Sequence, residues 1–109
     1  MDSIKLNNAQ IICEEHGVKC NTVSNDDNDN PISALIINVN NDHILIANDG
    51  NMYYIIVHYY KDNVRQTKKY YSMHFTGDNL RSLLQLVSGQ PIYEVASAGE
   101  FDLFFDGLV

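Results

Sequence analysis

Four histidines, two cysteines and one run of acidic and amide residues are the side chains of this chain that could ligate ions or transfer protons. His58 and His74 fall on neighbouring strands by pattern. With the turn between them centred near Val64 to Gln66 they would oppose each other, as a cross-strand pair suited to metal binding or to general acid and base work. Cys13, His16 and Cys20 would be metal ligands if one helical face carried all three, but Gly17 and the β-branched Val18 argue that the helix stops between them. The two cysteines read instead as small, buried or half-buried side chains. The run from Ser24 to Pro31, with Asp26, Asp27 and Asp29, offers the oxygen atoms that hard cations prefer. An EF-hand needs Gly at the sixth loop position and Glu at the twelfth; counted from Asp26, Pro31 and Ile37 stand there, so the run reads as a solvated acidic loop, whose Asp26, Asp27 and Asp29 we assign to partner binding. There is no GxSxG, HExxH, P-loop or dinucleotide fingerprint, and no Ser or Cys with an evident base. The expectation is therefore no enzyme, no cofactor and no metal.

Recognition chemistry is better represented. Of seven tyrosines, six come as the pairs Tyr53-Tyr54, Tyr59-Tyr60 and Tyr70-Tyr71, and tryptophan is missing. Adjacent strand side chains face opposite ways, so each pair puts one ring into the core and one outside. We assign Tyr54, Tyr60 and Tyr70 to a partner-binding surface, where tyrosine offers a large contact area with a polar tip. Of seven cations, Lys61, Arg65, Lys68 and Lys69 fall within residues 61–69 against the single acid Asp62. That makes a basic hairpin finger of charge +3 on a body of charge −10, within a total of −7. The last segment, Glu100 to Asp106, mixes aromatics and acids. It either docks on the sheet as a closing element or presents Phe101, Asp102 and Asp106 to a partner.

The elements that must position these groups follow from length and period. A chain of 109 residues, 45% apolar and 19% charged, suits one domain, residues 1–109, with its own core. Ser3 or Leu6 to His16 reads as a helix closed by Gly17, and Val18 to Val23 as a short strand. Ala34–Val39, His43–Ala47, Met52–Tyr60 and Lys68–Phe75 read as four consecutive antiparallel strands, with polar turns between them. Leu80, Leu83, Leu84 and Val87 recur at helical spacing, which predicts a helix over Asn79 to Ser88 lying across one face of the sheet. Ile92–Val95 has a strand-like start. The expected class is α+β: an N-terminal helix, a mainly antiparallel meander of four to six strands, and one helix in the C-terminal half packed on one face.

The segment Asp29 to Asp42, preceded by a short helix and strand, resembles the strand region of small acidic anti-CRISPR proteins from phages of Gram-positive bacteria. Those proteins bind an RNA-guided nuclease where its target DNA would go, with carboxylates in place of phosphates. This chain departs from them in having two further tyrosine-rich strands and fewer acids in its helices, and no site residue carries over. The resemblance implies a class: a noncatalytic acidic inhibitor, encoded by a phage or mobile element, that blocks the basic nucleic-acid site of a defence enzyme. An immunity or antitoxin protein for a basic toxin is the alternative, and a small histidine-dependent enzyme a further one. The acidic balance argues against direct contact with nucleic acid or an anionic membrane. The start Met1 to Lys5 lacks the basic and apolar pattern of a secretory signal, so the expected place is the cytoplasm of a bacterial host cell. An edge strand and an aromatic face would allow a homodimer.

Overall fold

The computed structural model describes residues 6–25, 31–48 and 50–108. Helix α1 (Leu6–Glu15) leads into the strands β1 (Lys19–Asn25), β2 (Pro31–Val39), β3 (Asp42–Asn48), β4 (Tyr53–Lys61) and β5 (Val64–Ser72). These pair in sequence order as one antiparallel sheet. Helices α2 (Gly77–Leu86), α3 (Ile92–Ser97) and α4 (Glu100–Asp106) follow, giving the expected α+β class.

Local chemistry sets each boundary. In α1, Ala9, Ile12 and Cys13 are buried one turn apart. The helix closes in a Schellman motif: Gly17 at φ 69° lets the Val18 N–H reach the Cys13 carbonyl at 2.9 Å and its own N–H reach that of Glu14 at 3.0 Å. Between β4 and β5 the turn is only Asp62-Asn63, at φ 53° and 64°, with Lys61 facing Val64. Two successive left-handed residues match the twist of a hairpin, and Asp and Asn tolerate that region well. The polar turn expected over residues 61–67 is therefore corrected: Arg65, Gln66 and Thr67 belong to β5. That strand also ends earlier than expected, because the Ser72 hydroxyl donates to the His74 carbonyl at 2.6 Å and accepts from the His74 N–H at 3.2 Å. In α2, Thr76 and Asn79 form a capping box, and Leu80, Leu83 and Leu84 are buried.

The strand expected at Ile92–Val95 is instead the helix α3, with Ile92, Val95 and Ala96 on its buried side. Gly99, at φ 74°, turns the chain from α3 into α4, where Phe101 and Phe105 are buried. The C-terminal segment thus docks as a closing element in helical form. Helix α1 packs over β1 and β2, α2 packs on α1, α3 on β4 and α4 on β5. All of them join one core with the inward residues Leu35, Ile37, Ile44, Ile46, Tyr53, Ile55, Val57 and Tyr59. No described helix is long and apolar enough to cross a membrane.

Candidate functional site

Because helices cover one face of the sheet, strand alternation sorts every other residue onto the opposite face. The register lines these up in rows across all five strands. One row runs Lys19, Asn38, His43, His58, Thr67; the next runs Asn21, Ile36, Leu45, Ile56, Lys69. A third runs Val23, Ala34, Ala47, Tyr54, Tyr71, and Tyr60 faces Arg65 at one end. Ile36, Leu45, Ile56 and Tyr54 are half-buried, while Tyr60 is 50% and Tyr71 56% exposed. Tyr54 and Tyr71 pack edge to face at 5.3 Å between ring centroids. Ala34 is the buried exception, its methyl group set between Val23 and Ala47.

Charge divides between the two faces. At the outward positions just named the charged side chains are Lys19, Arg65 and Lys69, with no carboxylate. Arg65 and Lys69 make no ion pair among the described residues. The helices hold Glu14, Glu15, Asp78, Glu94, Glu100, Asp102 and Asp106, and on that side Lys68 and Arg81 are engaged. Lys68 pairs with Asp102 at 3.6 Å, and Arg81 with Asp78 at 3.5 Å and Glu15 at 3.8 Å.

Several expected site residues land elsewhere. Tyr54 and Tyr60 face outward as expected, but Tyr70 faces the helices, because Tyr71 is the residue in register with Tyr54. The Tyr70 ring stacks on Phe105 at 4.5 Å, and its hydroxyl donates to Asp102 at 2.6 Å. Burial, then that hydrogen bond, push the Tyr70 pKa up. The hydrogen bond, more than the Lys68 ammonium, holds the Asp102 carboxyl below its usual value. Phe101 is fully buried and cannot touch a partner, whereas Asp102 and Asp106 stay exposed. The basic finger is not one cluster. Lys61 and Arg65 flank the turn, while Lys68 and Lys69, mid-strand, point to opposite faces. Asp26, Asp27 and Asp29 lie outside the described residues.

The histidine pair is also corrected. His58 faces Thr67 on one side and His43 on the other, because the Asp62-Asn63 turn gives His58 a partner seven positions before the expected one; His74 lies beyond the end of β5. The His43 and His58 rings are 4.6 Å apart, and His58 Nδ1 is 3.1 Å from the Thr67 hydroxyl. A turn centred on Asn48–Asn51 would set His43 opposite Ile56; the observed register, with Asn48 facing Tyr53, sets it opposite His58.

His16 is spent on its own helix, its Nδ1 2.9 Å from the Ile12 carbonyl oxygen. Burial, then the hydrogen-bonded neighbour Cys20, push the Cys13 thiol up to about 12, so it is no nucleophile at neutral pH. Among the described residues no group of three or more His, Cys, Asp or Glu converges as a metal site. An open hollow of about 270 Å³ between the β2–β3 turn and the α2–α3 link is lined by Val39, Asn40, Val87, Gly89, Gln90 and Pro91, none of them titratable. Compared with protein-family models, curated proteins and solved structures, the chain matches none.

Proposed function

We propose that this chain is a non-enzymatic binding protein that engages another protein through the outward face of its sheet. The observation that carries the proposal is the composition of that face: an aliphatic centre of Ile36, Leu45 and Ile56, rings from Tyr54, Tyr60 and Tyr71, and, among the described residues, cations without a carboxylate. Aromatic and arginine anchors around a dry apolar centre are the usual hot spot of a protein interface. Cations at the margin select a partner surface that is apolar in the middle and acidic at its edge. An acidic protein fits better than a nucleic acid. Three cations neutralise few phosphates, and the chain as a whole carries −7.

A second reading is favoured by the carboxylates of the helical layer: an inhibitor that lays this acidic side into a basic nucleic-acid site, as the resemblance implies. The two readings use opposite sides of the molecule, so position-specific photocrosslinking separates them. A crosslinking side chain at Ile56, on the sheet face, and another at Leu103, 75% exposed on α4, are carried into lysate of the native host. A single discrete adduct from position 56 and none from 103 is expected. Adducts from 103 alone would sink the sheet-face proposal and favour the acidic inhibitor.

A further inference from the structure

Apart from what docks on the sheet, its outward face holds two imidazoles side by side on adjacent strands. We propose that His43 and His58 form a bidentate site for a borderline divalent transition-metal ion, with Cu²⁺ bound most tightly. The register places the two side chains directly opposite on one face, so no backbone movement is needed to bring them together.

A metal about 2.0 to 2.1 Å from an imidazole nitrogen lies roughly 3.2 Å from the ring centroid, so two cis ligands at about 90° hold their centroids roughly 4.5 Å apart. The observed separation is 4.6 Å, with the rings tilted by 47° and not stacked flat. A second group orients the site, as metal-binding histidines require. When the His58 Nδ1–H donates to the Thr67 hydroxyl at 3.1 Å, Nε2 keeps its lone pair for a ligand.

The surroundings decide which ion is taken. Arg65 and Lys69 repel any dication, and among the described residues no outward carboxylate offers hard oxygen ligands. Ca²⁺ and Mg²⁺ gain nothing here, whereas Cu²⁺, then Ni²⁺ and Zn²⁺, gain from two nitrogen donors. The remaining coordination positions face solvent and take water.

The test is titration of the purified full chain with Cu²⁺ in a non-chelating buffer, followed by calorimetry and electron paramagnetic resonance. One equivalent is expected to bind with hyperfine structure from two nitrogens, while Ca²⁺ and Mg²⁺ give no heat. Breaking the chelate by His43→Ala or His58→Ala should weaken binding by about a hundredfold. Thr67→Val should weaken it by about tenfold. His16→Ala and His74→Ala should leave it unchanged. A site that survives both His43→Ala and His58→Ala, or a spectrum from a single nitrogen, would overturn the proposal. Imidazole proton resonances of the unmutated chain probe the same pairing without any variant: Zn²⁺ should move those of His43 and His58 together and spare the other two histidines.

Discussion

Tyr70 and Tyr71 are neighbours in one strand, yet they serve opposite faces. Tyr70 stacks on Phe105, and its hydroxyl is fixed by Asp102, which in turn pairs with Lys68. Tyr71 is 56% exposed and touches Tyr54 edge to face. The same contrast holds across the sheet. On the helical side the strand residues Leu35, Ile37, Ile44, Ile46, Ile55 and Val57 are buried in the core, and Lys68 and Arg81 are paired with carboxylates. On the outward side the aliphatic residues are only half-buried, and Arg65 and Lys69 have no ion-pair partner among the described residues. A face packed into the core stabilises the fold; one that leaves aliphatic groups half-buried, rings half-exposed and two cations without an ion pair keeps them available for something else.

Substitutions on the two faces should therefore separate stability from binding. The largest effect belongs to Phe105→Ala, which empties a fully enclosed site under Tyr70. It should destabilise the protein by about 3 to 5 kcal/mol, read from urea unfolding. Tyr71→Ala removes one edge-to-face contact from an exposed ring and should lower stability by only about 0.5 to 1.5 kcal/mol. Equal losses from the two variants would erase the distinction between the faces.

The smallest effect is electrostatic and visible only through pH. The folded-state pKa of Asp102 is depressed, so its contribution is present above the unfolded value of about 4 and is lost as pH falls through the folded value. Tyr70→Phe removes the main cause and should flatten that acid limb, measured as the urea midpoint between pH 2 and 7. The folded pKa of His58 is likewise lowered, so the unfolded chain binds the proton more readily. Its contribution is full above about pH 6.5 and declines as pH falls towards the folded value. His58→Gln should remove that part of the slope and leave the Asp102 part intact.

Where hydrophobic period was long, the elements could be read directly. The Leu80, Leu83, Leu84, Val87 stripe and the paired tyrosines of β4 mark α2 and a half-buried strand without any tertiary information. The helices α3 and α4 run for only six and seven residues, under two turns each, so their period never declares itself. Ile92 and Val95 are as common in strands as on a buried helical face. The candidate surface depended on register, and there two-residue precision matters. The polar run Arg65-Gln66-Thr67 made part of β5 look like a turn, when Arg65 and Thr67 are outward positions of an edge strand. Once Asp62-Asn63 is taken as the whole turn, Tyr71 replaces Tyr70 and His74 drops out; the β3–β4 register then supplies His43.

The most direct test of the sheet face as the contact surface compares two variants for affinity towards the partner recovered by crosslinking. In one, Ile56→Ala and Tyr71→Ala remove an aliphatic and an aromatic group from the outward face. In the other, Asp102→Asn and Asp106→Asn neutralise two exposed carboxylates of α4. The sheet-face pair should weaken binding by about a hundredfold or more while the protein stays folded, and the α4 pair should stay within about threefold of the unmodified chain. The reverse order, with the α4 pair abolishing binding and the sheet-face pair retaining it, would contradict the account.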